Sequence, residues 1–273
     1  MSSNIPVVPM FIGGEYCQSS SGVTYDVYNP ATGKVIEHTA AATAQDCVKA
    51  VEAADNAFEL WQYSTPVTRA SIFQKAAALV TSEKYISKVT QSVVDETGCP
   101  AAWAKFVNCG ITPGFLTEAC DMPYQVKGEI LPSNVGAISL VQKYPLGVVL
   151  VISPWNAPLG LVLMTAIPPI AAGCAVVLKT SEHSPASQLI AAELLKEAGL
   201  PDGVLNIIHT SREDSGPRVA EIIAHPLVRK IAFTGSDRVG RILAFEAAKH
   251  LKPCVFELGG KAPAVVSFQW SVI

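Results

Sequence analysis

The chain has 273 residues, 49% of them hydrophobic, with 20 basic and 23 acidic side chains and a formal charge of −3. That is enough apolar material for one large core with an appendage, and the interspersed, nearly balanced charges exclude the basic footprint that a nucleic-acid backbone or an anionic membrane surface requires. The seven cysteines, at 17, 47, 99, 109, 120, 174 and 254, show no C-x-x-C pairing and no zinc-type His spacing, so no metal site is expected and a reducing, cytoplasmic setting fits best. The first twenty residues have neither a cationic start nor a continuous apolar run, so no secretory signal is expected.

In chain order, apolar residues from Met10 to Gln18 flank Gly13-Gly14 and predict a two-residue hairpin. Helical periodicity follows. Val48, Val51 and Phe58 form a stripe after the N-cap candidate Thr43, and Ile72, Phe73, Ala76, Ala77 and Val80 form a second after Pro66. A third helix carries Ile86, Val89 and Val93 and stops near Gly98 and Pro100; a fourth covers roughly 101–109 and can resume toward 120. Between Gly128 and Tyr144, short extended segments around Pro132, Ser133, Asn134 and Gly136 predict a protruding β-hairpin. Such an element, with little of its own to pack on, commonly pairs with another subunit.

Residues 144–178 contain no charged side chain, yet Pro154, Pro158, Pro168 and Pro169 break the run into pieces of strand and helix length, against a membrane span. From there strands and helices alternate: strand 148–152, helix 158–172, strand 175–178, helix 186–198, strand 204–208, helix 216–224, strand 230–233, helix 238–250 and strand 255–258. Runs such as Val148-Val149-Leu150-Val151-Ile152 are apolar on both faces, the pattern of parallel strands covered by helices on each side. Ligands bind such sheets at the carboxyl ends of the strands.

Four motifs fall at those ends: Pro154-Trp155-Asn156, Lys179-Thr180-Ser181-Glu182, Phe233-Thr234-Gly235-Ser236 and Glu257-Leu258-Gly259-Gly260-Lys261. No Gly-x-Gly-x-x-Gly follows any strand, so a pyrophosphate would have to meet the free amides and hydroxyl of Gly235-Ser236-Asp237-Arg238-Val239-Gly240. Taken singly, each motif has an ordinary alternative. Ser236 can be a simple N-cap, Asn156 can satisfy backbone groups in a Pro-rich turn, Glu257 can be a solvated strand end, and Lys179 with Glu182 can be a surface pair.

Together, in this order and spacing, the motifs closely resemble the aldehyde dehydrogenase superfamily over about residues 10–266, and Tyr28-Asn29-Pro30-Ala31-Thr32-Gly33 and Asp95-Glu96-Thr97-Gly98 agree with it. The resemblance implies an α/β fold with a parallel Rossmann-like sheet, flanking helices, an N-terminal helical segment and the protruding hairpin. It divides the chain into an N-terminal part of the cofactor domain (1–127), an oligomerisation-type hairpin (128–144), an NAD-binding sheet (145–266) and a divergent tail (267–273). It implies oxidation of an aldehyde to a carboxylic acid with NAD or NADP through a cysteine thiolate. Asn156 becomes an oxyanion donor. Glu257 becomes the base that activates the hydrolytic water, its pKa raised by burial at a strand end. Cofactor binding falls to Ile152, Ser153, Pro154, Trp155, Lys179, Ser181, Glu182, Phe233, Gly235, Ser236, Val239, Leu258 and Gly259. The acidic Glu182 suits the free ribose hydroxyl of NAD and would repel the phosphate of NADP. Thr180 stands where the family usually has Pro, a change expected to matter little for charge. Ala157, small where many relatives are aromatic, leaves room for a larger or aromatic aldehyde.

The resemblance fails at the sulfur. Family members carry the nucleophilic cysteine in a loop after the Glu-Leu-Gly-Gly motif, and none of the seven cysteines holds that position. Cys254 falls on the opposite strand face from Glu257, and Cys174 reads as a small buried filler. The expectation is therefore a truncated chain without the catalytic domain, inactive alone, with an uncovered sheet edge. Residues 267–273 would be a splice-derived or gene-model end. The alternatives are a non-catalytic fragment that binds nucleotide or pairs with a full-length homologue, or a gene-model product without function.

Overall fold

The computed structural model describes residues 5–260; Lys261, the boundary at 266 and the tail 267–273 lie outside them. Strands β1 (Val7–Val8), β2 (Met10–Ile12), β3 (Glu15–Cys17), β4 (Thr24–Tyr28) and β5 (Val35–Ala40) open the chain. Gly13 and Gly14 turn β2 into β3 with φ of 63° and 89°, the left-handed pair that a two-residue hairpin requires.

Helices α1 (Ala44–Trp61), α2 (Pro66–Val80), α3 (Glu83–Thr97) and α4 (Ala101–Lys105) follow, then a π-turn (Phe106–Gly110), α5 (Thr112–Ala119) and α6 (Met122–Gln125). Thr43 caps α1 in a reciprocal box with Asp46, and Gly98 ends α3 in the left-handed conformation. The buried stripe of α1 is Cys47, Ala50, Val51, Ala54 and Trp61. Val48, expected in that stripe, is exposed, because the helix turns its alanine-rich face inward and leaves Val48 beside it.

The hairpin β6 (Glu129–Leu131) and β7 (Ser139–Val141) stands exposed along its whole length. The second half then alternates β8 (Val148–Ile152), α7 (Pro158–Ala171), β9 (Ala175–Lys179), α8 (Pro185–Ala198), β10 (Leu205–Ile208), α9 (Ser215–Ala224), β11 (Val228–Gly235), α10 (Asp237–Lys249) and β12 (Cys254–Leu258). The charge-free stretch is thus strand, 14-residue helix and strand. Among the described residues no helix is long and apolar enough to cross a membrane.

The main sheet runs β12-β11-β8-β9-β10-β2-β3, with β8 to β12 parallel. Alternate side chains feed two cores. Val149, Val151, Val176 and Leu178 pack against α2, α3, α7 and α8, while Val148, Leu150, Ile152 and Val177 pack against α1, α9 and α10. Two features add to the expected parallel sheet. The hairpin β2–β3 joins its edge antiparallel to β10, and β1, β5 and β4 form a separate three-stranded sheet. Arg69 locks the helices beneath. Buried without a carboxylate, its guanidinium donates to the carbonyls of Gln62 at 3.0 Å and Ala171 at 3.0 Å, at the negative C-terminal ends of α1 and α7. The close approach requires Gly173 (φ 92°), where a Cβ would lie 2.6 Å from the guanidinium.

Candidate active site

Going one way from β8 the sheet order is β9 then β10, and going the other way it is β11 then β12. The crevice between the carboxyl ends of β8 and β11 is therefore the point where the winding reverses, the place where doubly wound sheets take ligands. Pro154-Trp155-Asn156 leaves one lip and Phe233-Thr234-Gly235-Ser236 the other. Thr165 of α7 and Thr234 of β11 hold the lips together, their hydroxyls 3.3 Å apart.

The crevice opens into a cavity of about 910 Å³ lined by Pro154, Trp155, Asn156, Leu161, Met164, Phe233, Gly235, Ser236, Glu257, Leu258 and Gly259. Asn156 and Glu257 thus share one space, approached from different strands. Asn156 is exposed in the loop before α7. The expected burial of Glu257 is not found. Among the described residues β12 is the edge of the sheet, and Glu257 is exposed on it.

Two side chains that the motifs did not reveal shape the Pro154–Asn156 lip. Asn108, buried in the π-turn, accepts from the amides of Leu159 at 3.1 Å and Gly160 at 3.3 Å, capping α7 from a distant segment. Gln188, fully buried on α8, donates to the carbonyls of Ser153 at 3.3 Å and Pro154 at 2.9 Å and accepts from the Ser181 amide at 2.7 Å. A polar residue inside the apolar face of a predicted helix was the only signal for Gln188. For Asn108 there was none beyond its place in the fourth helix.

Ile152 and Ser153 are buried below the lip. Lys179, Ser181 and Glu182 lie outside the cavity, at the carboxyl end of the neighbouring strand β9. The Lys179 ammonium is 4.0 Å from the Glu182 carboxylate, and burial lowers its pKa against the opposing pull of Glu182. Trp155 bridges the two groups of residues, its ring edge-on to His183 at 6.4 Å. Thr180 is more than a neutral replacement, because its hydroxyl bonds Nδ1 of the fully buried His209 at 2.7 Å. Ser236 caps α10 by accepting from the Val239 amide, and Gly235 and Ser236 line the crevice at that helix start.

The aldehyde dehydrogenase family model matches residues 16–269. The chain belongs to the aldehyde dehydrogenase family. It is 43% identical over 260 residues to a vanillin dehydrogenase of Pseudomonas fluorescens, covering 95% of this chain and 53% of that protein. Its fold superimposes on the crystal structure of a salicylaldehyde dehydrogenase from Pseudomonas putida G7 complexed with salicylaldehyde with a TM-score of 0.90 at 35% identity, covering 94% of this chain and 53% of that one. The NAD+ complex of an aldehyde dehydrogenase from Bacillus cereus gives a TM-score of 0.86 at 34% identity, covering 94% and 52%. The chain thus spans about half the length of the relatives it matches.

Within this aldehyde dehydrogenase fold a dinucleotide fits the donors present. The N-terminus of α10, where Gly235 and Ser236 line the cavity, suits phosphate, and the Lys179 ammonium, sheltered beside one carboxylate, suits a ribose. The cysteines are less apt as nucleophiles. Burial pushes the Cys47 thiol up to about 12 and that of Cys109 to about 11, and raises those of Cys17, Cys120 and Cys254. A raised pKa keeps sulfur in the unreactive thiol form. Cys254 packs into the core face of β12, away from Glu257, and Cys174 is 4% exposed at the far end of the cavity among Pro168, Pro169 and Ala172.

Proposed function

We propose that this chain holds NAD and polarises the carbonyl of an aromatic aldehyde on the way to its carboxylic acid, while the sulfur nucleophile of that reaction is none of its seven cysteines. The reading rests chiefly on one observation, the presence of Asn156 and Glu257 on the walls of one cavity at the sheet's reversal point. Bound NAD supplies the hydride acceptor. The Asn156 amide donates to the oxygen as negative charge builds on it, and the Glu257 carboxylate takes a proton from the hydrolytic water. The loop after β8 and the amides of α10 meet the nicotinamide side and the phosphates. Lys179 and Glu182 grip the adenosine ribose. The small Ala157 and the apolar wall of Leu161 and Met164 suit an aromatic ring, and vanillin and salicylaldehyde dehydrogenases are among the relatives.

The perturbed, buried thiols favour a second function for the chain alone, that of a cofactor-binding polypeptide. The exposed hairpin β6–β7, carrying Ile130, Ile138 and Leu140 outward, would pair it with another copy or a longer homologue in the cytoplasm. Titration with NAD and NADP tests the cofactor reading. NAD is expected to bind about tenfold tighter or more, because the Glu182 carboxylate repels a ribose phosphate. Equal or tighter binding of NADP would overturn it.

A further inference from the structure

We propose that Gln188 is a positioning residue that fixes the spacing between the two ends of the dinucleotide site. The inference rests on the reading that the loops after β8 and β9 hold opposite ends of one NAD. Gln188 touches neither end itself. Its amide is fully buried at the first turn of α8, beneath both loops, and all three of its hydrogen bonds go to their backbones.

The chemistry of the partners fixes the amide's orientation. Oε1 must face the Ser181 N–H, and Nε2 must face the Ser153 and Pro154 carbonyls. One rigid planar group therefore sets the separation of residues 153–154 from residue 181. The helix itself has no need of an amide there. The four residues after it, Leu189, Ile190, Ala191 and Ala192, are apolar, and the other buried polar residue beside it, Ser187, is held by Glu96 rather than by these loops. A buried amide is costly unless paired, so its presence is accounted for by the loop groups it satisfies. Without Gln188, three backbone groups of the two loops, two of them in buried bonds, lose this partner at once. The β9 loop retains anchors of its own, the bond of the Thr180 amide to Ile208 O and of the Thr180 hydroxyl to His209.

A ligand that touches one loop should therefore tolerate loss of the bridge, whereas one that spans both should not. The 273-residue chain carrying Q188L or Q188E is titrated with NAD and with AMP, well below its melting temperature. Q188L is expected to weaken NAD about tenfold with AMP held within twofold. Q188E keeps the acceptor for the Ser181 amide and loses donation to the two carbonyls, so a smaller shift of the NAD-to-AMP ratio, about threefold, is expected of it. If Q188L does not fold, Q188E decides on the same ratio. A lower melting temperature with an unchanged ratio in every variant that folds makes Gln188 an ordinary core residue and overturns the proposal. Failure of the unmodified chain to bind NAD overturns the cofactor reading, and the inference with it.

Discussion

Lys179→Met is expected to weaken NAD binding about a hundredfold, because the methionine keeps the length of the side chain and removes a charge-assisted hydrogen bond worth about 1.5–3 kcal/mol. Lys179 ends β9 with its side chain only 6% exposed. Burial works against its charge, the Glu182 carboxylate at 4.0 Å offsets that in part, and no hydrogen bond to a described residue uses its donors. A sheltered ammonium of this kind gains more from a ribose hydroxyl than a surface lysine would, since little water competes. Glu182, left without its cation, has among the described residues only His183 at 3.6 Å as a partner. A dissociation constant within twofold of the unmodified chain would remove the pair from the cofactor site and leave it a structural ion pair at the end of β9.

The second large effect is on stability in acid. His209 donates from Nε2 to the Pro9 carbonyl at 2.9 Å and accepts at Nδ1 from Thr180, so the folded protein holds it neutral. Burial, reinforced by the charge of Lys179 and opposed by the Pro9 bond, lowers its pKa to about 4. In the unfolded chain the ring titrates near 6.5. Between those values the unfolded state takes up a proton that the folded state refuses, so stability falls as pH drops through this window, by about 3 kcal/mol in all. Glu96 and Glu37, close together and pushed up chiefly by burial, act in the opposite sense and gain stability as pH falls. Comparison with His209→Gln isolates the histidine. The unmodified chain should lose its melting-temperature advantage over the variant progressively between pH 6.5 and 4, whereas parallel curves would show that His209 does not carry the effect.

The second half of the fold was legible because its strands are apolar on both faces and its helices are punctuated by proline and glycine. The five parallel strands lie within two residues of the positions read from that pattern. The separate sheet of β1, β4 and β5 was not legible. Thr24–Tyr28 is mostly exposed and Val35–Ala40 mixes half-buried and buried positions, neither in a clean alternation, and their pairing lies outside the main sheet. The switch point could be inferred only once the strand order was known, since alternation along the chain does not say on which side of β8 strand β11 lies.

The same limit governs the site. Asn156, Glu257, Lys179 and Glu182 belong to local motifs and were visible. Asn108 and Gln188 act on groups 51 and 35 residues away, so their roles appear only in three dimensions. Glu257 shows the converse. Its place at a strand end was correct, but the strand lies at the edge, and burial is a property of neighbours rather than of spacing.

The central claim is that the grip on NAD and the dipole for the carbonyl are present while the attacking sulfur is not. It is tested most directly by incubating the purified chain with NAD and an aromatic aldehyde and following NADH at 340 nm, in parallel with an NAD binding titration. Saturable NAD binding without aldehyde-dependent NADH is the predicted result. Sustained NADH formation that disappears when one of the seven cysteines is replaced by alanine would contradict it.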